Sequence, residues 1–387
     1  MKKLRMMIIL ALMGGSLILA GCQSKEQTQV QGKANEWYEK GESLANSGNY
    51  QEAISAYTKA VEGDPRFSDA YRKRGIAWYK MGDYDRALED YNRALAINPN
   101  DARAYNNIGA IYNERKESEK AIAMCNKALE IDPNLAMAYD NRGSAWKEQG
   151  NMERAIDDYS KAIELDPADA IAYNNRGNVF KEIHQYDRAI MDYTKVIEID
   201  PHHFKAHLNR AIVWGYKENY NNGMQDYNKA LEIKPDCAIC YYNRGVIWLD
   251  QKAYDAAIAD FSEALRLEPN DLEACYNRGL AYSRKQDYDH AIADYTRALE
   301  IEPRFARAYN NRGISWEYKG YHDRAIKDYT KALEIDPGLA QAYYNRGLAK
   351  AKHGDRQQAI ADIKKAVSLS PDNKDYQKEL SQMLNKK

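Results

Sequence analysis

Two cysteines three positions apart are the side chains in this sequence whose type and spacing could do chemistry. Cys237 and Cys240 form a C-x-x-C pair, and His203 stands 34 residues before Cys237, with His207 close by. Paired thiols exchange with disulfides, and cysteine together with histidine can ligate zinc. The histidines are too loosely placed for a metal-binding pattern, so we predict no metal and no cofactor. We expect that Cys237 and Cys240 can form a disulfide. The alternative function is that of an accessory or redox protein that uses this pair.

The rest of the sequence contains no catalytic pattern outside a repeated motif. We find no nucleophile–base pair, no phosphate-binding loop and no carboxylate dyad. The charges nearly balance, with 56 Lys+Arg against 57 Asp+Glu in 387 residues, whereas binding to nucleic acid needs a basic excess. We therefore predict a protein that is not an enzyme and does not bind nucleic acid.

The elements that position these side chains follow a strict period. All ten prolines lie 34 residues apart, from Pro65 to Pro371. Because a proline ends one helix or opens the next, the chain is divided in the same register ten times. With each proline at position 32, the repeats are 34–67, 68–101, 102–135, 136–169, 170–203, 204–237, 238–271, 272–305, 306–339 and 340–373.

Within each repeat, small and large residues alternate at helical spacing. Position 8 is glycine in nine repeats, positions 20 and 27 are alanine in nine, and positions 4 and 24 are mostly aromatic. The pattern predicts two helices that bury one face each and must stack on neighbouring pairs. It resembles the tetratricopeptide repeat over residues 34–373. The resemblance implies an all-α, right-handed superhelix, or α-solenoid, whose first helices line a concave protein-binding groove, and we expect residues 374–387 to form a capping helix.

Arginine and aspartate vary together between the repeats. Position 7 is arginine and position 23 is aspartate in the same eight repeats, whereas repeat 3 has Ile108 with Met124 and repeat 1 has Lys40 with Ala56. We predict an ion pair inside each repeat that sets helix register, with an arginine row for an anionic ligand as the alternative. The predicted pairs are Arg74–Asp90, Arg142–Asp158, Arg176–Asp192, Arg210–Asp226, Arg244–Asp260, Arg278–Asp294, Arg312–Asp328 and Arg346–Asp362.

Asparagine occupies position 6 in repeats 3 to 10. This row is similar to the asparagine ladder in the superhelix of protein O-GlcNAc transferase, which holds the backbone of an extended polypeptide. An amide offers both a donor and an acceptor, so it can satisfy a peptide unit in either direction. The alternative is that asparagine is simply the common residue here in the family. The row comprises Asn107, Asn141, Asn175, Asn209, Asn243, Asn277, Asn311 and Asn345.

An apolar patch is predicted beside this row in repeats 6 to 8. The remaining inward positions there carry Leu208, Ile212, Ile239, Tyr242, Val246, Leu249, Tyr276 and Leu280. A connected apolar patch on a solvated face indicates a partner site for an extended or helical peptide. The alternative is that these side chains pack under the neighbouring repeat.

The N-terminus predicts export and lipid attachment. A basic start precedes an apolar run that ends in Leu-Ala-Gly-Cys at 19–22, which resembles a bacterial lipobox. We expect residues 1–21 to be a signal peptide, Cys22 to carry a lipid, and residues 22–33 to be a flexible tether; an uncleaved anchor is the alternative. Gln23 in place of Asp favours the outer membrane, facing the periplasm. Similar lipid-anchored repeat proteins dock murein hydrolases or assist assembly of pili and secretins, so we expect a scaffold of the bacterial envelope, of unknown oligomeric state.

Overall fold

The computed structural model describes residues 31–385, whose regular structure is entirely helical. They fall into two compact units, one ending at Asp200 and the other beginning at Pro201. The first unit contains α1 (31–46), α2 (Tyr50–Gly63), α3 (Ser68–Lys80), α4 (Tyr84–Ile97), α5 (Ala102–Glu114), α6 (Ser118–Ile131), α7 (Ala136–Glu148), α8 (Met152–Leu165), α9 (Ala170–Glu182) and α10 (Tyr186–Ile199). The second contains α11 (Phe204–Tyr216), α12 (Tyr220–Ile233), α13 (Ala238–Asp250), α14 (Tyr254–Leu267), α15 (Leu272–Arg284), α16 (Tyr288–Ile301), α17 (Ala306–Tyr318), α18 (His322–Ile335), α19 (Ala340–Lys352), α20 (Arg356–Leu369) and α21 (Lys374–Asn385).

Odd-numbered helices up to α19 are the first helix of a repeat, called helix A below, and even-numbered helices are helix B. Inside each unit, helix B packs against both its own helix A and the next one, and successive A helices also contact each other. Each helix B ends two residues before its proline, as α2 does at Gly63 before Pro65. The result is the consecutive helix-pair packing of a solenoid, with α21 after the tenth repeat.

The structure covers only the last three residues of the N-terminal segments predicted above. The predicted signal peptide, Cys22 and residues 23–30 of the tether lie outside the described residues. Residues 31–33 are helical, which corrects the expectation that the tether runs to residue 33. The Gln31 side chain donates to Asp64 Oδ2 at 2.8 Å, and Ala34 is buried, so α1 gains contacts at its start. No helix within residues 31–385 has the length and apolar character needed to cross a membrane.

In nine of the ten repeats the glycine at position 8 makes a close approach to the side chain at position 24. A Cβ placed on Gly313 would lie 2.7 Å from the ring of Tyr329, and one on Gly75 would lie 2.6 Å from Tyr91. Both tyrosines occupy position 24 and are 1% exposed. The large residue of helix B therefore packs against the small residue of helix A. This contact holds the two helices in register.

The turn between the two helices needs a left-handed residue at position 15. Five repeats place glycine there, including Gly150 at φ 78°, and five place other residues, including Lys252 at φ 61°. Residues with a Cβ occupy this region at a cost of about 1–2 kcal/mol. The backbone geometry of the turn is thus set by the repeat and not by the residue it carries.

Candidate protein-binding face

Each predicted arginine and aspartate lie in contact inside their repeat. In repeat 4, Arg142 donates from Nε and Nη2 to the two carboxylate oxygens of Asp158, at 2.8 and 2.7 Å. The same two-bond arrangement occurs in all eight repeats, at N–O distances of 2.7–2.9 Å. The paired aspartates are 4–6% exposed, so each carboxylate depends on its arginine for charge compensation.

The third arginine nitrogen reaches the preceding repeat. Arg142 Nη1 donates to Asn126 Oδ1 at 2.7 Å, and Arg176 Nη1 donates to Ser160 Oγ at 3.0 Å. The acceptor always stands at position 25 of the preceding helix B. The other such pairs are Arg74–Thr58, Arg244–Asn228, Arg278–Ser262, Arg312–Thr296 and Arg346–Thr330. The guanidinium groups therefore form hydrogen bonds within and between repeats. This argues against the alternative that the arginines form a row that binds an anionic ligand.

Repeat 6 adds a histidine to its ion pair. His207 is 5% exposed; its Nδ1 lies 3.0 Å from Asp226 Oδ1 and its Nε2 lies 3.2 Å from the carbonyl oxygen of Pro201. Burial alone would raise the pKa of Asp226, but hydrogen bonds from Arg210 and His207 bring that pKa below its ordinary value. His207 thus serves the packing of repeat 6.

The asparagine row is joined to the repeat before it. Asn141 donates from Nδ2 to Asn106 Oδ1 at 2.8 Å, and Asn277 donates to the Tyr242 hydroxyl at 3.1 Å. The acceptor stands at position 5 of the preceding helix A. The same link joins Asn175 to Asp140, Asn311 to Tyr276, and Asn345 to Asn310. These links use the amide nitrogens of Asn141, Asn175 and Asn277 and do not occupy their side-chain oxygens. These asparagines therefore link successive A helices by hydrogen bonds, and their side-chain oxygens can still accept hydrogen bonds.

The predicted apolar patch is mostly taken up by packing between repeats. Leu208 and Ile212 pack against the buried cluster of repeats 6 and 7, and Tyr242, Val246 and Leu249 pack against Phe261 and its neighbours. Tyr276 packs with Tyr295 and Phe305, at ring centroid distances of 5.8 and 5.0 Å. Ile239, 52% exposed, is the member of the patch that stands out from the surface. This corrects the picture of a broad apolar surface, because position 9 and its neighbours fill gaps under the next helix.

A cavity opens on the A-helix face, by which we mean the surface formed by positions 2, 5, 6, 9, 12 and 13 of the A helices. It has a volume of about 290 Å³ and lies between α15 and α17, beside the start of α16. Leu280 and Ile314, at position 9 of successive repeats, form its apolar part. Asn311 of the predicted row also lines this α15–α17 cavity.

Polar groups converge on the same cavity. Ser283, Arg284 and Gln286 line it, as does Tyr295. The Tyr295 hydroxyl is buried and makes no hydrogen bond of good geometry among the described residues, although Asn311 and Ser283 lie near enough to oppose the rise in its pKa. Burial raises the pKa of Tyr295, so its hydroxyl stays protonated and can donate a hydrogen bond.

Two tyrosines stand at the mouth of the cavity. Tyr288 and Tyr318 both line it and stack on each other, with ring centroids 4.8 Å apart and planes 3° apart. Tyr318 is 69% exposed. An exposed, stacked aromatic pair beside an apolar wall is suited to contact with another polypeptide.

Comparison with known proteins identifies the repeat. Models of the tetratricopeptide repeat match residues 38–102, 102–135, 143–183, 170–203, 205–237, 238–271, 272–305, 318–354 and 340–373, which together span more than half of the chain. The chain belongs to the tetratricopeptide repeat (TPR) family. TPR arrays are protein-interaction scaffolds, and their fold is generally non-catalytic. A search of curated proteins found no significant match.

This TPR chain is also similar to solved structures. YrrB, described as a TPR protein with an unusual peptide-binding site, shares 27% identity over 48% of this chain and 95% of its own, with a TM-score of 0.45. MamA shares 28% identity over 44% of this chain and 94% of its own, with a TM-score of 0.42. Pseudomonas aeruginosa pilF shares 17% identity over 59% of this chain and 99% of its own, with a TM-score of 0.49.

The cysteine pair of the TPR chain forms a disulfide. Cys237 and Cys240 are bonded at the start of α13, where Cys237 is the N-cap residue and its sulfur accepts from the backbone N–H of Cys240. The two residues are 5% and 0% exposed. Thiol–disulfide exchange requires access of an attacking thiolate to a sulfur, so this buried position does not favour redox catalysis. Within residues 31–385, no three His, Cys, Asp or Glu side chains are grouped to hold a metal.

Several residues of the α15–α17 cavity were not singled out by sequence reasoning. Leu280 and Asn311 were predicted to lie on the binding face, whereas Arg284, Tyr295 and Tyr318 were not. Arg284 and Tyr318 occupy position 13, which holds six different residue types over the ten repeats and so carries little periodic signal. The departure of position 13 from any consensus is the one sequence feature that could have indicated them.

Proposed function

We propose that this TPR protein is a scaffold of the bacterial cell envelope that binds an extended polypeptide segment along the A-helix face of its second unit. The observation that carries the proposal is the α15–α17 cavity, which combines an apolar wall, a buried hydroxyl without a partner and an exposed tyrosine pair. The asparagine links along the same face supply further acceptors.

The spacing of the A helices suits an extended chain. Packed helices lie roughly 8–10 Å apart, and an extended chain rises about 3.3 Å per residue. About three residues of partner would therefore pass each repeat, so that successive amides can meet about every third peptide group of the partner. Ile239 and Tyr318 stand exposed along this path.

Attachment to the membrane is part of the proposal. The Leu-Ala-Gly-Cys motif at 19–22 supports lipid attachment to Cys22, and Gln23 supports the outer membrane facing the periplasm. Binding at the A-helix face would then recruit partners such as murein hydrolases or the components of pili and secretins. Replacing Cys22 with serine should move the protein from the membrane fraction to the soluble fraction, and unchanged fractionation with no lipid detected by mass spectrometry would contradict this part.

Site-specific photo-crosslinking tests the binding face itself. A photoreactive amino acid is placed at Ile239 or Tyr318 on the A-helix face, or at exposed Ala293 on helix α16 as the matched control. We expect the two A-helix positions to crosslink to the same partner segment in cells and the control position to give no such product. Equal crosslinking from all three positions would contradict a binding site on this face.

A further inference from the structure

The α15–α17 cavity is rich in hydrogen-bond donors. Asn311 accepts from Asn310 at its carbonyl oxygen, 3.1 Å away, and its amide nitrogen donates to Tyr276, which leaves a second N–H on the same nitrogen. Ser283 and Tyr295 add hydroxyls. No Asp or Glu lines the cavity, so an incoming acceptor meets donors and no negative charge.

Arg284 is the one charged residue that lines the cavity, and within the described residues it makes no ion pair. Lys352, at the same position of repeat 10, is by contrast paired with Glu317 at 2.8 Å. Arg284 therefore has its guanidinium available beside a partly apolar cavity, where a charge-assisted hydrogen bond is strong.

The Tyr295 hydroxyl points to a missing acceptor. A buried donor without a partner costs free energy that a bound acceptor can recover. The residue is 0% exposed, so the hydroxyl does not reach bulk solvent and can be satisfied only from the cavity that it lines. With a volume of about 290 Å³, the cavity is at the small end of ligand sites, which run from roughly 300 to 1,000 Å³, so it suits one side chain and not a cofactor.

We propose that the α15–α17 cavity receives the side-chain carboxylate of an aspartate or glutamate from a bound polypeptide segment. Arg284 pairs with the carboxylate, and the hydroxyls of Tyr295 and Ser283 donate to its oxygens. Leu280 and Ile314 contact the methylene groups, and the Tyr288–Tyr318 stack covers a flanking residue. This inference rests on the proposed function, because it assigns a chemical preference to one position of the same face.

Peptide pools with a single fixed residue test the preference. The probes are roughly ten-residue peptides, acetylated and amidated at their ends, with uncharged random flanks and a central Glu, Gln or Lys. A further pool carries central Gln and a free C-terminal carboxylate. We expect the full-length protein to bind the Glu pool about tenfold more tightly than the Gln and Lys pools, and Arg284→Gln to remove that difference.

Two tyrosine variants separate binding from folding. Tyr295→Phe removes a hydroxyl that makes no hydrogen bond of good geometry inside the protein, so it should weaken binding of the Glu pool with little effect on the stability of the protein. Tyr159→Phe is the matched control at the same repeat position, because the Tyr159 hydroxyl bonds Ser144 Oγ at 3.1 Å. It should lower stability and leave binding unchanged.

The outcomes distinguish this inference from the proposed function. Equal binding of the Glu and Gln pools would overturn the carboxylate preference while upholding peptide binding. Tightest binding of the pool with a free C-terminus would overturn it in favour of a chain end. Tightest binding of the Lys pool would also overturn it, and failure of every pool to bind would contradict both proposals.

Discussion

Arg142 donates to Asn126 of the preceding repeat at 2.7 Å while its other two nitrogens hold Asp158 of its own repeat. One side chain thus joins three helices, two from one repeat and one from the repeat before. Repeat 3 has Ile108 and Met124 in place of such a pair, and both side chains pack in one apolar cluster. The chain itself therefore contains an ionic and an apolar solution to the same packing problem.

Substitution of one partner should destabilise the fold more than substitution of both. Arg142→Ala leaves the buried Asp158 carboxylate uncompensated, so we expect a loss of roughly 2–4 kcal/mol. The double variant Arg142→Ile with Asp158→Met copies repeat 3 and should recover most of that loss. Urea unfolding followed by circular dichroism measures both, and a double variant less stable than the single one would contradict the expectation.

Two glycine-to-alanine substitutions should act in opposite directions. Gly313→Ala would bring a Cβ to 2.7 Å from Tyr329, and the resulting overpacking should cost roughly 1–3 kcal/mol. Gly215→Ala, in α11, meets nothing within 4 Å and should gain about 0.5–1 kcal/mol from helix propensity. Thermal unfolding of the two variants tests the pair, and a loss of stability in both would show that the open space at Gly215 is needed for something else.

Asp140 should make stability depend on pH in the first unit. Burial raises the pKa of the Asp140 carboxyl from 3.8 to about 6, with nearby Asp169 adding to the shift and the hydrogen bond from Asn175 opposing it. Because the folded pKa is the higher one, the contribution of Asp140 to stability is fully present below pH 4 and is lost as the pH rises through 6. Asp140→Asn should therefore stabilise the protein at pH 8 and change little at pH 4.

The control for this prediction is the exposed Asp157 of the same repeat. Asp157→Asn should change stability little at either pH. A stabilisation by Asp140→Asn that is equal at pH 4 and pH 8 would mean that removal of the buried charge is not its cause.

Reduction of the Cys237–Cys240 disulfide should loosen the start of α13. The bond closes a very short loop, for which the chain-entropy estimate is roughly 2 kcal/mol. We expect a phosphine reductant to speed amide hydrogen exchange at the first turn of α13 and to leave the first unit unchanged. A Cys237→Ser, Cys240→Ala variant should show fast exchange at once and no further response to the reductant.

The periodic features of the fold could be predicted from the sequence, whereas the individual contacts on the A-helix face could not. The prolines and the position 8 glycines specify helix ends and close approaches in every repeat, and covariation of positions 7 and 23 indicates the arginine–aspartate partner. The second partner of Arg142 escaped this reasoning because position 25 holds threonine, serine or asparagine, which differ in type but share an oxygen acceptor. The partners of the asparagine row vary in the same way, between Asn106, Asp140 and Tyr242.

The α15–α17 cavity depends on information that no single column contains. It is lined by the stacked Tyr288 and Tyr318 and by Tyr295, three tyrosines that a sequence pattern identifies only as aromatic. Residues that differ between repeats do not contribute to a periodic pattern. A site that occurs in one repeat only must nevertheless be formed by such residues.

Coupling between neighbouring repeats is not of one chemical kind along this chain. At seven junctions an arginine reaches position 25 of the preceding repeat, but at that place between the second and third repeats Ile108 packs in one cluster with Tyr91, and an ion pair from Arg115 to Asp85 lies elsewhere at the same junction. The stacking of the third repeat on the second therefore depends on apolar burial at the place where seven other junctions use a charged side chain, which makes it a chemically distinct joint of the array.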